Sequence, residues 1–259
     1  MQLAWDRLTG FAKRVLHRLF VQRRVSAAQS RAVDIAKSGL STQEKFETIY
    51  RERIWAKASP TILPSSSSSG HGSTDKSTLR IRSELPQFFV DFHIASLFDA
   101  PCGDFNWMKS VNLPSSFLYT GGDIVAPLIA DLQSIHGTSQ RRFVHFDLTR
   151  NQFPKADAWL CKDCLQHLSH GDVARVLINF SNSSIKWALI SNHVDVIANT
   201  DICTGDFRHL DLRRPPFNLP EPLLVLRDSP IDGEPRGIFV WSRQSIKEME
   251  ASLSGLTNQ

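Results

Sequence analysis

Cysteine is scarce in this chain, with four in 259 residues. Cys102, Cys161, Cys164 and Cys203 are too few for a disulfide framework, which predicts reduced thiols in a cytosol-like compartment. No apolar run reaches 18 residues, so the sequence predicts no membrane-spanning helix. No long apolar core follows the first charges, which argues against a secretory signal. The beginning is instead Arg-rich, and an organelle transit peptide stays open beside the cytoplasmic reading. Acids are nearly missing there: Asp6 stands alone before Asp34, against Arg7, Lys13, Arg14, Arg18, Arg23, Arg24 and Arg31. Such a run marks either an anionic partner or a solvated helix face. The strings G-x-G-x-x-G and G-x-x-x-x-G-K-[ST] are both absent, which sets aside the dinucleotide fingerprint and the P-loop triphosphatases.

What is present is an ordinary globular composition, 41% apolar and 22% charged with a net charge of +4, enough for one large domain and an extension. Residues 1–57 read as a helical extension. Leu8, Phe11, Val15 and Leu19 recur at helical spacing, and Phe46, Ile49, Tyr50 and Ile54 form a second stripe. Ser41 followed by Glu44 has the spacing of a capping box. Residues 58–77 break the pattern with Pro60, Pro64, five serines (65–69) and Gly70-His-Gly72. This stretch is read as a flexible loop, either a linker or a lid whose serine and glycine amides wrap a carboxylate or phosphate.

From residue 78 to 259 the rhythm is α/β. Helices are predicted over 78–91, 104–111, 125–135 and 169–182, and strands over 94–99, 117–123, 142–147, 157–162 and 186–192. Such alternation implies a mostly parallel sheet covered on both faces. Leu223 to Arg227 and Gly237 to Ser242, joined through Asp232-Gly233, predict a C-terminal antiparallel hairpin.

The chemistry gathers at the strand ends. The first strand ends in Asp99, followed by Ala100, Pro101, Cys102, Gly103 and Asp104. The second ends in Gly121-Gly122-Asp123 and the third in Asp147-Leu148. Open α/β sheets bind ligands outside these carboxyl ends, where strand order switches. Gly103 lets a ligand approach the backbone. Two acids beside the turn would repel a pyrophosphate and suit a cationic or hydroxyl-rich ligand. Asp123 is placed to accept from ribose hydroxyls, and Asp147 from an adenine amine, with Leu148 as an apolar wall. An adenosine with a short amino-acid tail matches this series. At the fourth strand end, Cys161-x-x-Cys164 lacks the second pair that zinc needs and the surroundings of a redox motif, so no metal is expected.

The strings at 99–108 (DAPCGDFNWM), 121–125 (GGDIV), 146–149 (FDLT) and 161–168 (CKDCLQHL) resemble a little-characterised group of class I S-adenosylmethionine-dependent methyltransferases. The likeness extends to 46–55 (FETIYRERIW), 69–74 (SGHGST), 199–205 (NTDICTG) and 215–220 (PPFNLP), and covers roughly 44–242. It implies a Rossmann-like seven-stranded sheet with a reversed last strand, and S-adenosyl-L-methionine as cofactor. Asp99 and Gly103 would lie near its methionine end, with Ala100, Pro101 and Cys102 in the same turn. Asp123 and Ile124 would lie at the ribose, and Asp147-Leu148 at the adenine. Asp163 and His167 would surround the transferred methyl, His167 serving as base for a hydroxyl acceptor; His71, His193 and His209 are alternative bases. Trp107 and Arg208 would shape the acceptor mouth. The acceptor is read as a small molecule or a glycan-type molecule. N-P-P-Y is absent, so adenine or glutamine N-methylation is not indicated. The chain departs from the family pattern at Ser191–His193 and at Asp206-Phe207, over the expected mouth. A catalytically silent cofactor-binding module is therefore an alternative. A nucleic-acid methyltransferase ranks third, because the basic start has no interleaved aromatics.

Overall fold

A computed structural model describes residues 10–61, 63–228 and 236–257, with side chains from residue 18 onward. Leu8, the side chains of Phe11 and Val15, and the Asp232-Gly233 turn lie outside the described residues.

Seven strands form one sheet in the order β3-β2-β1-β4-β5-β7-β6. β1 (Ser96–Asp99), β2 (Leu118–Asp123), β3 (Arg141–His145), β4 (Ala158–Cys161) and β5 (Trp187–His193) are mutually parallel, while β7 (Arg236–Ser242) runs antiparallel to both β5 and β6 (Leu224–Leu226). The chain thus has the Rossmann-like mixed sheet expected from its sequence. Strand order switches between β1 and β4, which opens a crevice at their carboxyl ends. Register sets Asp99 beside Gly121 and Leu160, and Asp123 beside His145. All these chain ends therefore lie on one edge.

The sheet is buried on both faces, and successive residues serve opposite sides. Phe98, Trp159, Cys161, Ala188 and Ile190 join one core, whereas Leu97, Leu160 and Leu189 join the other. Helix α6 (His170–Ser181) covers the first face. Ser169 caps it by accepting from the Asp172 amide, and Val173, Val176, Leu177 and Phe180 make its buried stripe at i, i+3, i+4 and i+7. Each such side chain contributes about 1.5–3 kcal/mol by leaving water. Helices α4 (Leu79–Asp91) and α5 (Ala126–His136) supply the second core with Leu85, Phe88, Phe89, Ile129 and Leu132.

Residues 104–111 do not form the predicted helix; one 3-10 turn, Met108–Ser110, stands there. Gly103 and Phe105 have φ of +55° and +56°, left-handed values that a right-handed helix cannot continue through.

The N-terminal extension is helical: α1 (Gly10–Lys37), α2 (Thr42–Arg51) and α3 (Ile54–Lys57). The Ser41–Glu44 capping box forms in both directions. Of the predicted stripe, Leu19 alone has a described side chain, and it is 50% exposed; among the described side chains of α1, Ala28, Ile35 and Ala36 are buried. Two of the early arginines tie the extension together: Arg24 donates to the carbonyls of Lys57, Ser59 and Thr61, and Arg31 pairs with Glu52 at 2.7 Å. Among the described residues, no helix is long and apolar enough to cross a membrane.

Candidate functional site

A cavity of ≈ 850 Å³ opens at the carboxyl edge of the sheet, roofed by α1 to α3 and by the 59–77 loop. Its floor is the switch point. Asp99, at the end of β1, is 2% exposed and accepts the Tyr119 hydroxyl at 2.6 Å. Burial raises its carboxyl to about 7 against that hydrogen bond. Asp123, at the end of β2, is 4% exposed and accepts from the Gly103 amide (3.1 Å) and the Val125 amide (3.0 Å). Burial raises it to about 6. Pro101, Cys102, Gly103 and Ile124 line the same cavity, and burial pushes the Cys102 thiol well up. Ala100 lies behind the wall, its carbonyl accepting from the Trp159 indole at 2.9 Å.

The turn after β1 is a cradle. A Cβ on Gly103 would stand 2.4 Å from Ser69 Oγ and 3.2 Å from the Tyr50 hydroxyl, so only glycine fits there. Asp104 faces away from the cavity. Its carboxylate accepts from Ser67 Oγ (3.0 and 2.9 Å), the Ser68 amide (2.7 Å) and Ser69 Oγ (3.2 Å). The serine run does wrap a carboxylate, and that carboxylate belongs to the chain itself. Asp104 is thereby removed from the acids offered to a ligand.

Asp147 and Leu148 line the far end. One oxygen of Asp147 already accepts from the Thr149 amide (2.8 Å) and hydroxyl (2.6 Å). At the end of β4, Asp163 has φ of +53°, which turns its carboxylate into a four-membered charge cluster. Lys162 Nζ lies 2.5 Å from Asp163 and 3.4 Å from Asp228; Arg236 lies 3.4 Å from Asp163 and 3.3 Å from Asp228. Despite burial, the two cations hold Asp163 well below the usual carboxylate range, while burial raises Asp228. Lys162 also donates to the Gly72 carbonyl at 3.1 Å, which fastens the roof to β4.

His167 lines the cavity and stands 2.8 Å through Nδ1 from the Asp206 carbonyl. A carbonyl only accepts, so Nδ1 carries the proton and Nε2 keeps its lone pair. Burial lowers the His167 pKa. A run of rings follows along this wall: Trp55 and His167 at 5.1 Å, His167 and Phe207 at 5.5 Å, Phe207 and His209 at 5.8 Å, His209 and His193 stacked at 4.3 Å. Burial and the neighbouring His209 lower His193 to about 4. Trp107 and the exposed His71 also line the cavity.

Arg208 is elsewhere. It is 8% exposed, donates to the Leu165 carbonyl at 3.3 Å, and borders a separate hollow beside Asp195–Ala198 and Thr200. The residues at 191 and 192 have internal partners. Ser191 Oγ accepts the Asp163 amide at 2.9 Å, and the fully buried Asn192 bonds Asp211 at 2.9 Å. Cys161 sits in the core, and no group of three or more metal-binding side chains occurs among the described residues. Sequence reasoning missed Tyr50, Ser69, Lys162, Asp228 and Arg236. Tyr50 and Ser69 fall within strings that carried the family resemblance, but no local spacing marks them as cavity residues.

No protein-family model and no curated protein matches the sequence. Solved structures do. The mitomycin 7-O-methyltransferase MmcR is 15% identical with a TM-score of 0.56, over 86% of this chain and 68% of its own. The 1,6-didemethyltoxoflavin-N1-methyltransferase of Burkholderia thailandensis, solved with S-adenosylhomocysteine, is 16% identical with a TM-score of 0.54, over 80% and 92%. The magnesium protoporphyrin IX methyltransferase of Synechocystis, solved with S-adenosylmethionine, is 14% identical with a TM-score of 0.51, over 80% and 99%. With the strand order and the reversed β7, this likeness establishes that the chain has the Rossmann-like fold of the class I methyltransferases.

Proposed function

We propose that this protein is an S-adenosylmethionine-dependent methyltransferase with a small-molecule or glycan-type acceptor. The observation that carries this reading is the convergence of Asp99, Asp123 and the Gly103 cradle on one cavity. These groups fit the cofactor: buried carboxyls at the ends of β1 and β2, once ionised, suit hydroxyls and a cation, while the space beside the missing Gly103 Cβ is taken by Ser69 and Tyr50 of the chain itself. Asp123 would hold the ribose hydroxyls, Asp99 and Gly103 the amino-acid end, and Ile124, Asp147 and Leu148 the base. When bound, the cofactor supplies a methyl group on a sulfonium.

The remaining chamber favours a compact acceptor. Ligand cavities of about 300–1,000 Å³ take drug-sized molecules, and ≈ 850 Å³ shared with a nucleoside leaves room for a small ring system or a sugar. Trp55, His167, Phe207 and His209 offer ring faces to either a flat heterocycle or the CH face of a sugar. His167 Nε2, unprotonated and aimed from this wall, is the group to take a proton from an acceptor hydroxyl. Asp163, pinned by Lys162 and Arg236, orients the β4 end and remains ionised. Trp107 closes the inner wall. Arg208 takes no part in this chamber. The basic α1 supports a nucleic-acid acceptor poorly, because Arg24 and Arg31 serve the extension's own packing.

Titration calorimetry with S-adenosylhomocysteine tests the reading. Saturable heat is expected, weakened at least tenfold by Asp123→Ala. Absence of heat with folded protein would overturn it. Binding without labelled-methyl transfer to any component of a metabolite extract would favour the silent module.

A further inference from the structure

The proton count around Ser69 assigns a role to Tyr50. Ser69 Oγ accepts the Asp104 amide at 2.9 Å and reaches the Asp104 carboxylate at 3.2 Å. A carboxylate only accepts, so the single proton of Ser69 goes to Asp104. The contact between Tyr50 and Ser69 hydroxyls, 2.8 Å, then has one polarity: Tyr50 donates and Ser69 accepts. Burial and the nearby charge of Asp123 raise the Tyr50 pKa, so the phenol keeps that proton. With the proton turned to Ser69, the Tyr50 oxygen presents lone pairs alone.

That oxygen stands above the Gly103 cradle, on the cavity wall it shares with Asp99 and Asp123. The Gly103 amide, which would otherwise donate into this corner, is spent on Asp123 at 3.1 Å. Oxygens of Tyr50, Asp99 and Asp123, from three elements, thus line one cavity as acceptors. A corner of this kind suits a group with several N–H donors and a positive charge.

We propose that Tyr50 accepts a hydrogen bond from the α-ammonium of the cofactor's amino-acid tail, so that the N-terminal extension selects nucleosides that carry an α-amino group on the tail. This rests on the cofactor reading above. It adds to that reading a residue outside the sheet, and it assigns the extension a recognition role besides covering the site.

Affinity for three ligands separates the outcomes: S-adenosylhomocysteine, its desamino analogue and its decarboxylated analogue, each titrated against wild type and Tyr50→Phe. Tyr50→Phe should weaken S-adenosylhomocysteine and the decarboxylated analogue by about tenfold, as loss of a hydrogen bond to a charged group does. It should leave the desamino analogue within about twofold. An equal loss for the desamino analogue would make Tyr50 merely structural and overturn the proposal. A decarboxylated analogue that binds both proteins equally would make the carboxylate the partner of Tyr50 and overturn it too, as would no loss for any ligand. Ser69→Ala is the second variant; it frees the Tyr50 proton to face the cavity and should produce the same selective loss with the helical circular dichroism intact. If wild type binds none of the three, it is the cofactor reading that fails.

Discussion

The hydroxyl of Ser67 lies 3.0 and 2.9 Å from the two carboxylate oxygens of Asp104, 37 residues further along the chain. This contact, with the Ser68 amide and Ser69 hydroxyl, locks the loop over the turn that follows β1. Asp104→Ala removes the acceptor of all three. Buried Ser67 and half-buried Ser68 and Ser69 then lose this partner, at about 1–3 kcal/mol for a buried group left unsatisfied. Amide exchange at residues 65–73 should rise by an order of magnitude or more while β4 and β5 stay protected. Unchanged exchange in the loop would show that the grip on Asp104 does not hold it.

Asp99 and Asp123 make stability depend on pH. Their folded pKa values, about 7 and about 6, lie above the unfolded carboxylate value. The folded form therefore binds more protons, and the stability these groups contribute is full below about pH 4 and lost as pH rises through about 7. Melting temperature should fall by several degrees between pH 5.5 and pH 8, and Asp99→Asn should flatten that fall. Asn can still accept the Tyr119 hydroxyl and carries no charge to desolvate. S-adenosylhomocysteine should bind more tightly at pH 8, where both acids are ionised. A fall in melting temperature that is equally steep in Asp99→Asn would contradict the assignment.

Lys162 is the central cation between two buried acids, at 2.5 Å from Asp163 and 3.4 Å from Asp228. Lys162→Met keeps the volume and leaves Arg236 to serve both carboxylates. Breaking a buried pair by removing one partner costs about 3–5 kcal/mol. Denaturant unfolding should show a loss of that order at pH 7.5. The loss should shrink when Asp228→Asn is added, since Asp228 is the acid that burial pushes up. Additive effects of the two substitutions would show that the cluster is not coupled.

The elements that were legible in advance are those written in local spacing. The strands alternate between two cores, as Leu97 and Phe98 do, and α6 carries its stripe at helical intervals behind a Ser169 cap. Where local rhythm was read alone it also misled. Residues 104–111 have helix-compatible spacing, yet the left-handed Gly103 and Phe105 break the run on either side of Asp104, whose carboxylate the serine loop holds. Likewise Leu19 belongs to the predicted apolar stripe yet is 50% exposed, while Ala28, Ile35 and Ala36 are buried further along α1.

The sequence by itself determined the alternating sheet and the acids at its strand ends, because side-chain period and turn chemistry act between near neighbours. Only the tertiary structure decided which acids face the cavity. Asp99, Asp123, Asp147 and Asp163 do, the last pinned by Arg236, 73 residues later, whereas Asp104 is consumed by serines 35 to 37 residues earlier. Hydrogen bonds and ion pairs depend on distance in space and leave no period in the chain, so the roof formed by Tyr50 and Ser69, and the direction in which Tyr50 gives its proton, became readable only once the fold had closed.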